Sequence, residues 1–103
     1  MAAKVKIRGK LQDGVAKVKA LMPHPMETGT RRDPDGNLIP AHYITTVTCF
    51  KNDEEVLTAY WGPSVSTNPY FAFRVKNAVA GDVIKITWVD NLDESSSGEL
   101  VLK

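Results

Sequence analysis

The sequence predicts an all-β fold, two antiparallel sheets packed as a sandwich, on three observations. Seven short segments rich in Val, Ile, Thr, Tyr and Phe alternate apolar and polar residues, the period of a half-buried strand. Clusters of Gly, Pro, Asn and Asp separate these segments, and each of those residues favours a turn for its own reason. No stretch carries the spacing of an amphipathic helix.

Taken in order, Lys4 to Gly9 sets Val5 and Ile7 on one face and Lys4, Lys6 and Arg8 on the other. Asp13-Gly14 marks the first turn. Val15 to Leu21 places Ala16, Val18 and Ala20 inward and Lys17 and Lys19 outward. The small alanines leave room for a close neighbour. Tyr43 to Lys51 is dense in Thr, Val and Ile, residues suited to a pleated surface. Asn52-Asp53 turns the chain into Glu54 to Trp61, and a polar stretch, Gly62 to Pro69, follows. Tyr70 to Lys76 turns Phe71, Phe73 and Val75 inward and Arg74 and Lys76 outward. Val83 to Asp90 turns Ile84, Ile86 and Trp88 inward, Asn91 to Ser97 is a polar turn, and Gly98 to Lys103 closes the chain. Seven strands at this spacing predict a single immunoglobulin-like sandwich over residues 1–103, with a barrel as the alternative. Trp88 and the Phe71/Phe73 pair are the expected core anchors.

One stretch breaks the pattern. Met22 to Ile44 holds four of the six prolines and both histidines, so it can be neither a helix nor a continuous strand. Within it, Asp33-Pro34-Asp35-Gly36 has the chemistry of a tight turn, with proline presetting φ and glycine accepting a positive one. The stretch therefore reads as a two-armed excursion with His24 and His42 at its base.

Composition removes several functions. A net charge of +1 lacks the basic excess of a nucleic-acid binder. No apolar run reaches the length of a membrane span. The opening residues, Met1 to Arg8, lack the apolar core of a secretory signal. The expectation is a cytoplasmic protein, or one exported with a partner that carries the signal. Cys49 is the single cysteine, so no internal disulfide forms.

The catalytic and metal readings are thin. His24 and His42 with Cys49 or Asp33 would be the metal set of a small redox protein, yet their spacing matches no ligand motif. Cys49, mid-strand between apolar neighbours, reads as an inert core thiol. Glu54 and Glu55 are adjacent on a strand and point to opposite faces. No nucleophile elbow, phosphate loop or dinucleotide fingerprint is present. The expectation is a protein without cofactor or catalytic group. A binding reading has more behind it. Met22 and Met26 offer adaptable apolar contact in a proline-stiffened segment. Arg31 and Arg32 offer forked donors for a carboxylate. With His24 and His42, these four residues are the candidate partner-binding set.

The same residues carry a resemblance. Met22-Pro23-His24-Pro25-Met26-Glu27-Thr28-Gly29, then Arg31 to Gly36, Ile39 to Ile44, Tyr60-Trp61-Gly62, Ser64 to Pro69 and Gly81-Asp82-Val83 closely resemble the SoxZ family. That family supplies the smaller subunit of the SoxYZ carrier of bacterial sulfur oxidation. The resemblance implies an immunoglobulin-like sandwich that pairs tightly with a SoxY-like carrier subunit, whose cysteine bears the sulfur intermediates of thiosulfate oxidation. It implies transient contacts with the other Sox enzymes, no catalytic group in this chain, and a periplasmic location reached by folded export with the signal-bearing partner.

Overall fold

The computed structural model describes residues 4–103, and its strands follow the alternation of the sequence. They are β1 (Lys6–Gln12), β2 (Val15–Leu21), β3 (Ile44–Lys51), β4 (Glu54–Tyr60), β5 (Tyr70–Val75), β6 (Val83–Asp90) and β7 (Ser95–Val101). One sheet has the order β1-β2-β5 and the other β4-β3-β6-β7, with every pairing antiparallel. Two sheets with this strand order form an immunoglobulin-like sandwich.

Local chemistry sets the hairpins. Asp13 and Gly14 (φ 53° and 77°) join β1 to β2, and Asn52 and Asp53 (φ 51° and 68°) join β3 to β4. Two-residue loops with positive φ at both positions match the right-handed twist of the flanking strands. The inward residues of β2, β3 and β6 make the core, with Trp88, Met22, Ile44, Ile84, Ile86, Val18, Val47 and Cys49 the largest buried side chains. Trp88 is the central anchor. The Phe71 and Phe73 rings, 5.0 Å apart, are half-buried against that core rather than within it. Their strand, β5, is the edge of the smaller sheet and has a neighbour on one side only.

The last strand starts earlier than the sequence suggests. Ser95, Ser96 and Ser97, expected in a turn, pair with Val89, Trp88 and Thr87. Serine is a weak strand former, and the ladder offered by β6 overrides that preference. Val5, just before β1, crosses to the other sheet, where its N–H donates to the Ser97 carbonyl at 3.3 Å. A Cβ at Gly98 would run into the Val5 carbonyl. Gly98→Ala should therefore part this seam and cost about 1–3 kcal/mol, the usual cost of overpacking, read as a lower urea midpoint at unchanged m-value.

The 22–43 segment, the 61–69 segment and the 91–94 turn all lie at one end of the sandwich, since each follows or precedes strand ends that pair there.

Candidate functional site

The long loop does form two arms. Glu27 and His42 bridge through both backbone N–H to carbonyl bonds, and Arg32 bridges Leu38 further out. At the tip, the Gly36 N–H donates to the Asp33 carbonyl at 2.9 Å, and the Asp33 side chain accepts from the Asp35 and Asn37 amides. Gly36 takes a φ of +83°. The Asp-Pro-Asp-Gly sequence thus turns as its chemistry dictates.

At the base, His24 and His42 meet with ring centroids 4.5 Å apart. Between them lies Asp90, the last residue of β6, whose side chain is wholly buried. Asp90 Oδ2 accepts from His24 Nε2 at 2.9 Å and from His42 Nε2 at 2.7 Å. Its Oδ1 accepts from the Leu92 and Glu94 amides at 3.0 and 2.9 Å. Glu94 adds a carboxylate 3.2 Å from His42 Nε2. Burial pushes the Asp90 carboxyl up, yet the bonds from His24, the Glu94 amide, His42 and the Leu92 amide outweigh it. They hold the carboxyl below the ordinary carboxylate range.

His24 is fixed on its other side as well. The Met26 N–H donates to His24 Nδ1 at 3.1 Å. A nitrogen that accepts carries no hydrogen, so the proton of the neutral ring sits on Nε2 and is donated to Asp90. Around this clamp, Met26 holds a φ of +49°, rare for a side chain of its size. Its sulfur accepts from the Ile44 N–H at 3.3 Å. The His24 backbone is tied to the 61–69 segment, its N–H to the Asn68 side chain and its carbonyl to the Asn68 N–H. The site thus joins three connections that are distant in sequence. The His24 ring also stands edge-on to Trp88 at 5.0 Å and 88°, which couples the clamp to the core.

The six candidate partner-binding residues stand in different surroundings. Met22, His24 and Met26 are 0, 4 and 5% exposed. The prolines that stiffen this segment lay it across the open end of the core, where methionine fills the gap. Both arginines make a local bond and remain exposed, the Arg31 side chain by 64%. Arg31 is salt-bridged to Glu27, Nε to Oε1 at 3.0 Å, and holds that carboxyl below its usual range. Arg32 Nη1 donates to the Gly36 carbonyl. His42 remains partly accessible, its side chain 23% exposed. Neither Cys49 nor Asp33 joins the histidines. Their third member, Asp90, ends a strand, and its place in sequence carried no signal of it.

The ligand atoms of His24, His42 and Asp90 lie within 4.8 Å of one another, close enough to hold a metal ion. A metal on His24 Nε2 would require the ring proton on Nδ1, where it would face the Met26 N–H, donor against donor. Ligating histidines instead offer that second N–H to an acceptor. The donor set suits a hydrogen-bonded clamp. Cys49 is buried in β3, and burial pushes its thiol up to about 11. Labelling by a thiol reagent at neutral pH should be slow in the native protein and fast in urea, since the thiolate is the reactive form.

A model of the family described as "Sulphur oxidation protein SoxZ" matches residues 5–101. No curated protein matches the chain.

Proposed function

Because the chain belongs to the SoxZ family and so to the sulfur-oxidation system, we propose that it is the non-catalytic subunit of a SoxYZ-type carrier. It pairs with a SoxY-like chain and helps present that chain's cysteine-bound sulfur to the thiosulfate-oxidising enzymes. The same reading puts the assembly in the periplasm, exported folded with its signal-bearing partner.

The observation that best supports pairing is the outer face of the larger sheet. By register, one row across it runs Tyr60, Thr46, Val89, Ser95 and the next Thr58, Thr48, Thr87, Ser97. Neither row contains a charge. Tyr60 is 82% exposed and Val89 is also exposed. Two uncharged rows with an exposed aromatic, bordered by the charged row Glu55, Phe50, Lys85, Glu99, resemble an interface core with a polar rim, where charges are depleted at the centre and tyrosine is enriched. Co-expression with a SoxY-like partner should give one complex in size-exclusion chromatography, and Tyr60→Asp should split it while leaving the chain folded. Separate monomers with the unaltered chain would overturn the reading. A complex that survives Tyr60→Asp would move the interface elsewhere.

A further inference from the structure

The smaller sheet presents a different surface. No Asp or Glu occurs anywhere in β1, β2 or β5. Their outward positions include Lys6, Arg8, Lys10, Lys17, Lys19 and Arg74, all exposed. The register sets these cations directly beside one another. Arg8 opposes Lys19, and Lys17 lies between Lys10 on one side and Arg74 on the other. Among the described residues, the salt bridges involve none of the six. Like charges directly opposed across strands are destabilising, so this arrangement works against the stability of the isolated chain.

Protection of a sheet edge does not account for it. Lysines on an edge strand discourage stray pairing, which explains Lys6, Arg8 and Lys10 on β1. Lys17 and Lys19 are on β2, the central strand, whose two sides are already paired. A cation flanked by cations there calls for an anion from outside. At the loop end of the same face the rows change character. Lys6, Ile7, Arg8, Lys19, Leu21 and Tyr70 line a hollow of about 470 Å³, an apolar floor rimmed by positive charge.

We propose that the outer face of the β1-β2-β5 sheet is a docking surface for an acidic segment of a partner protein, one with carboxylates flanking an apolar side chain. The apolar residue fills the hollow beside Leu21 and Tyr70. The carboxylates meet the cation rows, which repeat about every 6.8 Å along the strands, the spacing of alternate residues in an extended peptide. A polypeptide fits better than a polyanion for two reasons. The chain as a whole is nearly neutral, so no long-range field gathers a nucleic acid. The hollow selects an apolar group that a phosphate backbone lacks. This face is on the opposite side of the sandwich from the Tyr60 face, so docking here is independent of the pairing proposed above and leaves that face free.

The test uses the full chain and a fluorescent glutamate-rich peptide with one central leucine. It is compared with the same peptide carrying glutamine for glutamate, with oligothymidylate, and with phosphatidylserine vesicles. The acidic peptide should bind measurably tighter than the glutamine form and weaken as salt is raised. Lys17→Glu should reduce its affinity by about tenfold or more while the melting temperature stays level or rises, because a repelling row becomes an attracting one. If that variant folds poorly, Lys17→Gln should give a smaller loss in the same direction. No preference for the acidic peptide, undiminished binding by a folded Lys17 variant, or tighter binding of oligothymidylate or vesicles would overturn the proposal. Each of these outcomes leaves the Tyr60→Asp experiment unaffected.

Discussion

Replacing Asp90 with asparagine is expected to cost the isolated chain about 3 kcal/mol, the range for breaking a buried charge-assisted network by removing one partner. The loss follows from counting protons. Oδ1 of the asparagine can still accept from the Leu92 and Glu94 amides. Its NH₂ group then faces His24 and His42 where an acceptor stood. His42 can move its proton to Nδ1. His24 cannot, because the Met26 N–H already points at that nitrogen. Turning the amide over rescues the histidines and strands two backbone amides instead. The urea midpoint reports the global loss. Trypsin reports the local one, because release of the clamp frees the Arg31–Arg32 bond and nicking there should quicken well below the midpoint. An unchanged midpoint would show that the clamp contributes nothing to stability.

The same residue sets part of the acid limit. Its carboxyl is held below the ordinary range in the folded state, so folding favours the ionised form. The resulting stability is fully present above the unfolded carboxylate pKa of about 4 and is lost as pH falls through the lower folded value. The gap between wild type and Asp90→Asn should accordingly narrow in that acid window. Asp82, also held low by the Val79 amide and Asn52, keeps its own acid dependence in both proteins.

Met22→Ala is the second large effect, about 2–5 kcal/mol, the range for truncating a buried methionine. Met22 is fully buried, and its N–H donates to the Pro69 carbonyl at 3.0 Å, so its backbone is pinned and the space beside it has little freedom to collapse. The experiment separates two roles. A core residue lowers the urea midpoint of the chain alone. A partner anchor leaves that midpoint in place and weakens only a complex.

The alternation of apolar residues made the strands legible, because a half-buried sheet demands it, and the two-residue turns declared themselves through Asp, Asn and Gly. Ser95–Ser97 escaped because pairing with β6, a tertiary contact, outweighs what serine prefers alone. The candidate site was legible only in part. That His24 and His42 could approach each other follows from their places at the base of one loop, and the structure brings their rings to 4.5 Å. That Asp90 stands between them does not follow, since 66 residues separate it from His24 and an aspartate at a strand end looks like any other. The surroundings of Met22 and Met26 were hidden for a related reason. Methionine serves a binding surface and a core gap equally well, and only the direction of the chain after Pro23 and Pro25 decides between them.

The backbone bridge between Glu27 and His42 has a practical consequence. It acts as a clasp, and beyond it the chain is a closed ring with its tip at Asp35-Gly36, both exposed. The ends of such a ring are already held together, so lengthening it adds little: each doubling of a loop costs only about 0.6 kcal/mol. A short Gly/Ser insert with a fluorophore or an affinity tag, placed between Gly36 and Asn37, should leave the unfolding free energy from urea titration within about 0.5 kcal/mol of wild type, whereas the same insert between Met22 and Met26 should not be tolerated. The tip thus gives the protein a built-in point of attachment, away from both sheet faces.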